Sequence, residues 1–533
     1  MRMQTLWPEV ELDGESLAIS DVVAAARHGA RVRPLSPEVA EKMRPSSDWV
    51  QTVVQEDRLT VYGVNTGFGP LATARVGRED TRALSYNVIV ACAVGVDEPF
   101  SEEVVRATML IRANSLAKGF SGVRPAVVDT LLRMLNAGVT PVVPSKGSVG
   151  ASGDLAPLAH IAMVLCEAPS GRPDDSGLAN FEGEVLPGSE AMKRAGIPRL
   201  VLEAKEGLAL TNGASAIAGM ACLAVHDAWN LVRNAEIALA MSLEALHGFT
   251  DAFDERPHKV RPHPGQGETA HNVRRLTEGS DLVNRLPQKI QDAYSLRCSP
   301  QVLGAVRDAL RFVASTVHTE INAASDNPLI FMDLERENKA MSAGNFHGEP
   351  LAFAMDLLGI VTAEVASIAE RRVFRLTSPA LSDGLPAMLV IKPGLHCGYM
   401  MPQYTAAALV SDNKTLAHPD SVDSIPTSAG QEDHVSMGAN AARHAREIIR
   451  NSEMVVAIEM LTAAQALDLR SPELRRGRGA KVAHHLMRKL VPTMDEDHSL
   501  SRQMGSAAAL VHSGEIPAAI ASQTGEPVES FFL

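Results

Sequence analysis

A mostly α-helical protein with a central bundle of long helices is the fold class this sequence predicts, and three observations carry the prediction. Four segments repeat apolar residues at three- and four-residue spacing over lengths that strands do not reach. Aromatic residues make up only 4% of the 533-residue chain, which leaves Ala, Leu, Val and Met to fill a core of closely packed helices. Strand-like alternation of apolar and polar residues is scarce. Hydrophobic residues at 45% and charged residues at 21% place the chain among globular proteins with a sizeable core.

The elements follow in chain order. The N-terminus, MRMQTLWPEVELDG, has no apolar signal core and is acidic by residue 9, so the cytoplasm is the expected compartment. Residues 62–69, YGVNTGFG, form a loop, because so many small turn formers do not sustain a helix. Residues 143–160, VPSKGSVGASGDLAPLAH, are a glycine-studded turn followed by an apolar run. Residues 212–247 are apolar nearly all round, as in a buried core helix, and Asp227, Arg233 and Glu236 within them argue against a membrane span. Residues 301–321, 351–376 and 442–470 are the other long helices.

Between them, residues 261–272 (RPHPGQGETAHN) and 286–298 (LPQKIQDAYSLRC) are expected as loops. Residues 325–331 (SDNPLIF) are expected to end a helix at Asn-Pro, and residues 342–350 (SAGNFHGEP) to open the next. Two regions result: 1–210, rich in loops, and 211–533, holding the bundle and a C-terminal helical part. The apolar girth of the helices calls for self-association in a symmetric oligomer.

Several functions are disfavoured. A net charge of −13 does not suit phosphate neutralisation, so no nucleic-acid partner is expected. Cys92, Cys166, Cys222, Cys298 and Cys397 have no CxxC spacing, which argues against a disulfide framework or a structural zinc site. His258, His263 and His271 are unevenly spaced among prolines, so they read as part of a rigid surface loop and no metal is expected. GSVGASG lacks the Lys-Ser/Thr ending of a phosphate loop and follows no clear strand; GASGD is not a G-x-S-x-G nucleophile elbow.

Ala151-Ser152-Gly153 offers another chemistry. Attack of the Gly153 nitrogen on the Ala151 carbonyl carbon closes a five-membered ring, and glycine permits the bend this requires. Loss of water from that carbon and of the Ser152 hydroxyl leaves an exocyclic methylene, an electrophile that no ordinary side chain provides.

GSVGASGDLAPLAH resembles the signature of the aromatic amino acid ammonia-lyase and aminomutase family, whose electrophile is this 4-methylideneimidazole-5-one (MIO) group. YGVNTGFG, EGLALTNG, RPHPGQ, QDAYSLRC, SDNPLI, GNFHGEP, TAAALVSDNKTLAHP and SAGQEDHVSMG look like further family blocks in family order, spanning residues 62–437. The resemblance implies an ammonia-lyase/fumarase-like architecture with MIO in the N-terminal region. It also implies a homotetramer with sites built from several subunits, and a small amino acid as substrate.

By the same resemblance, Ala151, Ser152 and Gly153 form the MIO, and Tyr62 is the base that removes a β-hydrogen. Arg297 grips the substrate carboxylate, Asn212 and Tyr294 contact MIO or substrate, and Gln291 and Phe346 line the pocket. Glu432 stands where histidine ammonia-lyases carry a glutamate, and Met400 also follows their pattern. A carboxylate suits an imidazole N–H, so the implied reaction is histidine to urocanate plus ammonia. Cys92 departs from the pattern: it falls where histidine and tyrosine lyases have a histidine touching the ring. Ser85 replaces a usual glutamine, and LHCG at 395–398 replaces Leu-Asn-Ser-Gly. A thiol is a weaker hydrogen-bond partner than imidazole, which leaves room for another aromatic amino acid (tyrosine, phenylalanine or a modified histidine). A 2,3-aminomutase outcome also stays open, because the same residues perform the first half-reaction and retention of ammonia depends on lid motion.

Overall fold

The computed structural model describes residues 7–286 and 289–532. It is 57% helix and 7% strand. The four long helices run Ser215–Ala245, Ser299–Ile321, Glu349–Thr377 and Gly438–Asp468, within a few residues of the expected positions. The most apolar window of Ser215–Ala245 is 89% buried, which explains a sequence that is apolar on every face. The corresponding window of Glu349–Thr377 is only 56% buried, and Phe353, Ile360 and Phe374 on it are exposed. Both helices are long and apolar enough to cross a membrane by length and composition.

Three expectations are corrected. Of residues 261–272, expected as loop, 264–272 belong to the helix Pro264–Thr277. Proline at its first position loses no needed hydrogen bond, and Gly265 lies so close to the Gly304 carbonyl that a Cβ would sit 2.2 Å from it. Helix Ser299–Ile321 ends before Asn327-Pro328 rather than at it, and Leu329–Ile330 instead pairs antiparallel with Ala340–Met341. The glycine loop does follow a strand, Pro144–Lys146, paired antiparallel with Val96–Pro99.

Two compact units are each assembled from separate stretches. One comprises the N-terminal residues through His226 with Ala314–Asp356 and Pro419–Arg443; the other comprises Asp227–Val313, Leu357–His418 and His444–Leu533. In the second unit two buried glutamates are each paired with a buried arginine. Both oxygens of Glu236 meet Arg307, at 2.8 and 2.9 Å, and also accept from Thr269 and Asn272. Both oxygens of Glu459 meet Arg372, at 2.6 and 2.8 Å, with Ser242 donating to one of them.

Candidate active site

The glycine loop is held by main-chain contacts on two sides. Gly213 N donates to Ser152 O at 3.2 Å, and Asp154 N donates to Gly213 O at 2.8 Å. Gly153 has φ +78° and Gly213 φ +141°, and a Cβ on Gly153 would lie 2.3 Å from the Gly213 carbonyl carbon. Only glycine at both positions permits this approach. On the other side, Met437 N donates to Val149 O at 2.9 Å and Ser436 Oγ to Gly150 O at 2.9 Å. Ala151 packs in a small apolar cluster with Val435, Met437 and Val149.

Beneath the loop lies a buried polar network. Asp154 accepts from Ala216 N and Ile217 N, both at 2.8 Å, capping the long helix, and from Ser148 Oγ at 2.8 Å. Burial outweighs these bonds and pushes the Asp154 carboxyl up to about 6. Arg112 donates to the Asn212 carbonyl at 2.7 Å and to Ala209 O, while its Nε and Nη1 have no partner. Its burial lowers the guanidinium to about 10. Lys205 and Asp326 form a fully buried pair at 2.5 Å.

The loop opens on a cavity of about 890 Å³ in the first unit. Seven of the twelve residues singled out by the sequence line it: Tyr62, Cys92, Ala151, Ser152, Asn212, Phe346 and Glu432. Ser152 Oγ donates to Glu432 Oε1, and Thr427 Oγ1 donates to the other carboxylate oxygen. The loop carrying Tyr62 is shaped by buried Asn65, whose side chain accepts from Val61 N at 2.8 Å and donates to Leu59 O at 2.8 Å. Tyr62 Oη accepts from Gly69 N at 3.2 Å, and its ring meets Phe68 edge-on. Asn212 donates to Asn327 O at 3.1 Å and leaves its buried Oδ1 unpartnered.

Cys92 ends helix Thr81–Cys92 at the cavity wall. Burial, reinforced by the charge of Glu432, pushes its thiol up to about 11, so it is neutral at physiological pH. Ser85 does not line the cavity; its hydroxyl donates to Glu203 O at 2.7 Å.

Gly153 sits behind the wall against Gly213. Gln291, Tyr294, Arg297 and Met400 belong to the second unit and are not among the lining residues. There Tyr294 is 70% exposed, and the Arg297 guanidinium lies 4.7 Å above its ring. Sequence reasoning did not single out Phe68, Gln431, His347 or His434, all lining residues. Their only signal was membership of the quoted blocks. His258, earlier weighed as a metal ligand, is buried with both ring nitrogens engaged, by Gln266 at 2.8 Å and by Ala252 O at 3.2 Å.

Comparison with known proteins adds to this geometry. Residues 17–489 match the family model described as aromatic amino acid lyase. The chain is 51% identical over 490 residues to histidine ammonia-lyase 2 of Fusobacterium nucleatum, covering 92% of this chain and 93% of that protein. Among solved structures it is similar to histidine ammonia-lyase from Trypanosoma cruzi, with a TM-score of 0.88, 38% identity, and 98% and 97% of the two chains covered. It is also similar to tyrosine aminomutase from Streptomyces globisporus, with a TM-score of 0.90, 36% identity, and coverage of 97% and 99%.

Proposed function

Because this chain belongs to the aromatic amino acid lyase family, we propose that it is a carbon–nitrogen lyase that eliminates ammonia from L-histidine to give urocanate, with Ala151-Ser152-Gly153 as the source of an MIO group. The observation that carries the reading is the presence of Ser152, Tyr62 and Glu432 on one cavity, with Glu432 directly on the Ser152 hydroxyl. The near-full-length similarity to histidine ammonia-lyases favours histidine over other aromatic amino acids.

The tripeptide's surroundings fit the group. The Gly153–Gly213 approach leaves no room for a side chain where the ring must close, and the unpartnered Asn212 Oδ1 is a polar atom available to it or to substrate. The MIO would supply an electrophilic carbon to the substrate amine.

The remaining work falls to side chains. Tyr62 receives the β-hydrogen as a proton on Oη. The Gly69 N–H donates to that oxygen and holds it in place. Glu432 accepts a ring N–H of the imidazole and so orients the substrate. Cys92, small and neutral, contributes shape rather than charge to the ring pocket. Arg297 pairs with the substrate carboxylate and Tyr294 contacts substrate, with Gln291 and Met400 completing the pocket. The exposure of Tyr294 suits a site that several subunits complete. A homotetramer is therefore part of the proposal, supported by exposed Phe353, Ile360 and Phe374 on one long helix. The cytoplasm is the proposed compartment.

Incubation with L-histidine, following urocanate by ultraviolet absorbance and ammonia alongside, tests the reading. Equimolar urocanate and ammonia are expected. No turnover by protein whose tripeptide mass confirms the group would assign the Cys92 pocket to another amino acid. A β-amino acid product would make the protein an aminomutase.

A further inference from the structure

Three donor groups outside the chemistry above converge beside the same cavity. His347, Glu349 and His434 each present a ligand atom, and these atoms all lie within 4.8 Å of one another. His347 Nδ1 stands 4.0 Å from Glu349 Oε2. That carboxylate oxygen is buried without a hydrogen-bond partner. The two imidazole rings stack with centroids 5.5 Å apart and planes 26° from parallel. His347 Nδ1 is otherwise engaged only by a long 3.3 Å bond from Glu349 N, and His347 Nε2 by a 3.3 Å contact with His434 O.

A buried carboxylate oxygen with no donor is costly, and it calls for a proton or a cation. Two imidazoles and one carboxylate are the donor set that suits zinc and its neighbours, whereas magnesium and calcium prefer oxygen alone. With metal–ligand bonds of about 2.0–2.2 Å, tetrahedral ligands stand about 3.3 Å apart, so the three groups need to close by up to about 1.5 Å. His434 is exposed and His347 half-buried, which leaves both free to make that adjustment.

We propose that His347, Glu349 and His434 form a site for one divalent cation of the zinc class. Three protein ligands leave a coordination position for water or another small ligand. Both histidines line the cavity that holds Ser152 and Glu432, so cation and amino acid share one space and each alters the other's affinity by the same factor. Periodicity along the chain does not reveal the site, because His347 and His434 are 87 residues apart. The inference does not depend on the reaction proposed above.

Equilibrium dialysis of the full chain, first stripped with a chelator and then exposed to zinc chloride without amino acid, tests it. One zinc per chain is expected to be retained against excess magnesium. Glu349→Gln and His434→Ala should each weaken that binding by about tenfold or more, with unchanged circular dichroism. His434 is exposed, so its truncation leaves the fold in place even if Glu349→Gln disturbs its helix. Wild-type protein that retains no zinc would overturn the proposal. Equal zinc binding by wild type and His434→Ala, or displacement of zinc by magnesium, would overturn it as well.

Discussion

In the unit holding most of the long apolar helices, the buried guanidinium of Arg372 meets both oxygens of Glu459 and that of Arg307 meets both oxygens of Glu236. In the unit holding the glycine loop, Arg112 is buried as deeply but keeps Nε and Nη1 unpaired, and Asn212 keeps Oδ1 unpaired. Burial also pushes Asp154 there up to about 6. Closed pairs of the first kind make a rigid scaffold at little net cost, while removal of one partner is expensive. Open polar groups of the second kind cost stability in the resting fold, and such groups are tolerated where chemistry needs an uncommitted donor or acceptor. The helical unit also holds open groups away from its paired charges: Asn234 Oδ1, Gln301 Oε1 and Tyr399 Oη are buried without a partner, and Glu244 accepts from Gly477 N at 2.8 Å, yet its Oε2 is unpartnered and burial pushes it up to about 8.

Four measurements break or sharpen this contrast. Ser152→Ala should have the largest effect: most turnover disappears, the peptide spanning residue 152 retains its unmodified mass, and melting is unchanged. Full activity in that variant would remove the loop's special status.

Next in size is Glu459→Ala, which leaves Arg372 buried and alone and should cost about 3–5 kcal/mol of stability. Arg112→Met should cost less, because two of its nitrogens have no partner to lose. An equal or larger loss in Arg112→Met, by chemical denaturation, would mean the two regions do not differ.

The third measurement is the pH dependence of stability. Asp154 has a folded-state value raised from 3.8 to about 6, so its contribution is fully present below about pH 4 and is lost as pH rises through 6. The loss is roughly 3 kcal/mol, and Asp154→Asn should remove that slope. Glu244, raised from 4.5 to about 8, loses its contribution over a window reaching pH 8, so Glu244→Gln should flatten the curve at higher pH instead. Coincident windows in the two variants would refute the separate assignments.

The smallest effect is selective. Glu432→Gln should lower kcat/KM for histidine by about 1–3 kcal/mol more than for phenylalanine, because only the imidazole offers a ring N–H. Equal losses on both substrates would show that Glu432 does not read the ring.

Much of this was legible beforehand. The long helices were visible because a period of three and four residues persists over many turns, and their boundaries agree with the structure to within a few residues. The blocks around Tyr62, Ser152, Asn212, Phe346 and Glu432 pointed to residues that line one cavity. Pro264–Thr277 was misread because proline, glycine and histidine suggest a loop locally, while the packing of Gly265 against Gly304 is a tertiary fact. The replacement at Ser85 looked like a change in the pocket, yet its hydroxyl is committed to Glu203 O.

The sequence by itself determined the helical class, the family and the cyclisable tripeptide, because periodicity, residue type and short motifs are properties of neighbours along the chain. Only the tertiary structure decided that Glu432 meets Ser152, that Gly213 presses on Gly153, and that His347, Glu349 and His434 converge. It also decided which buried charges are paired and which remain open. Those facts depend on segments far apart in sequence, and on a loss of solvent that no local pattern records.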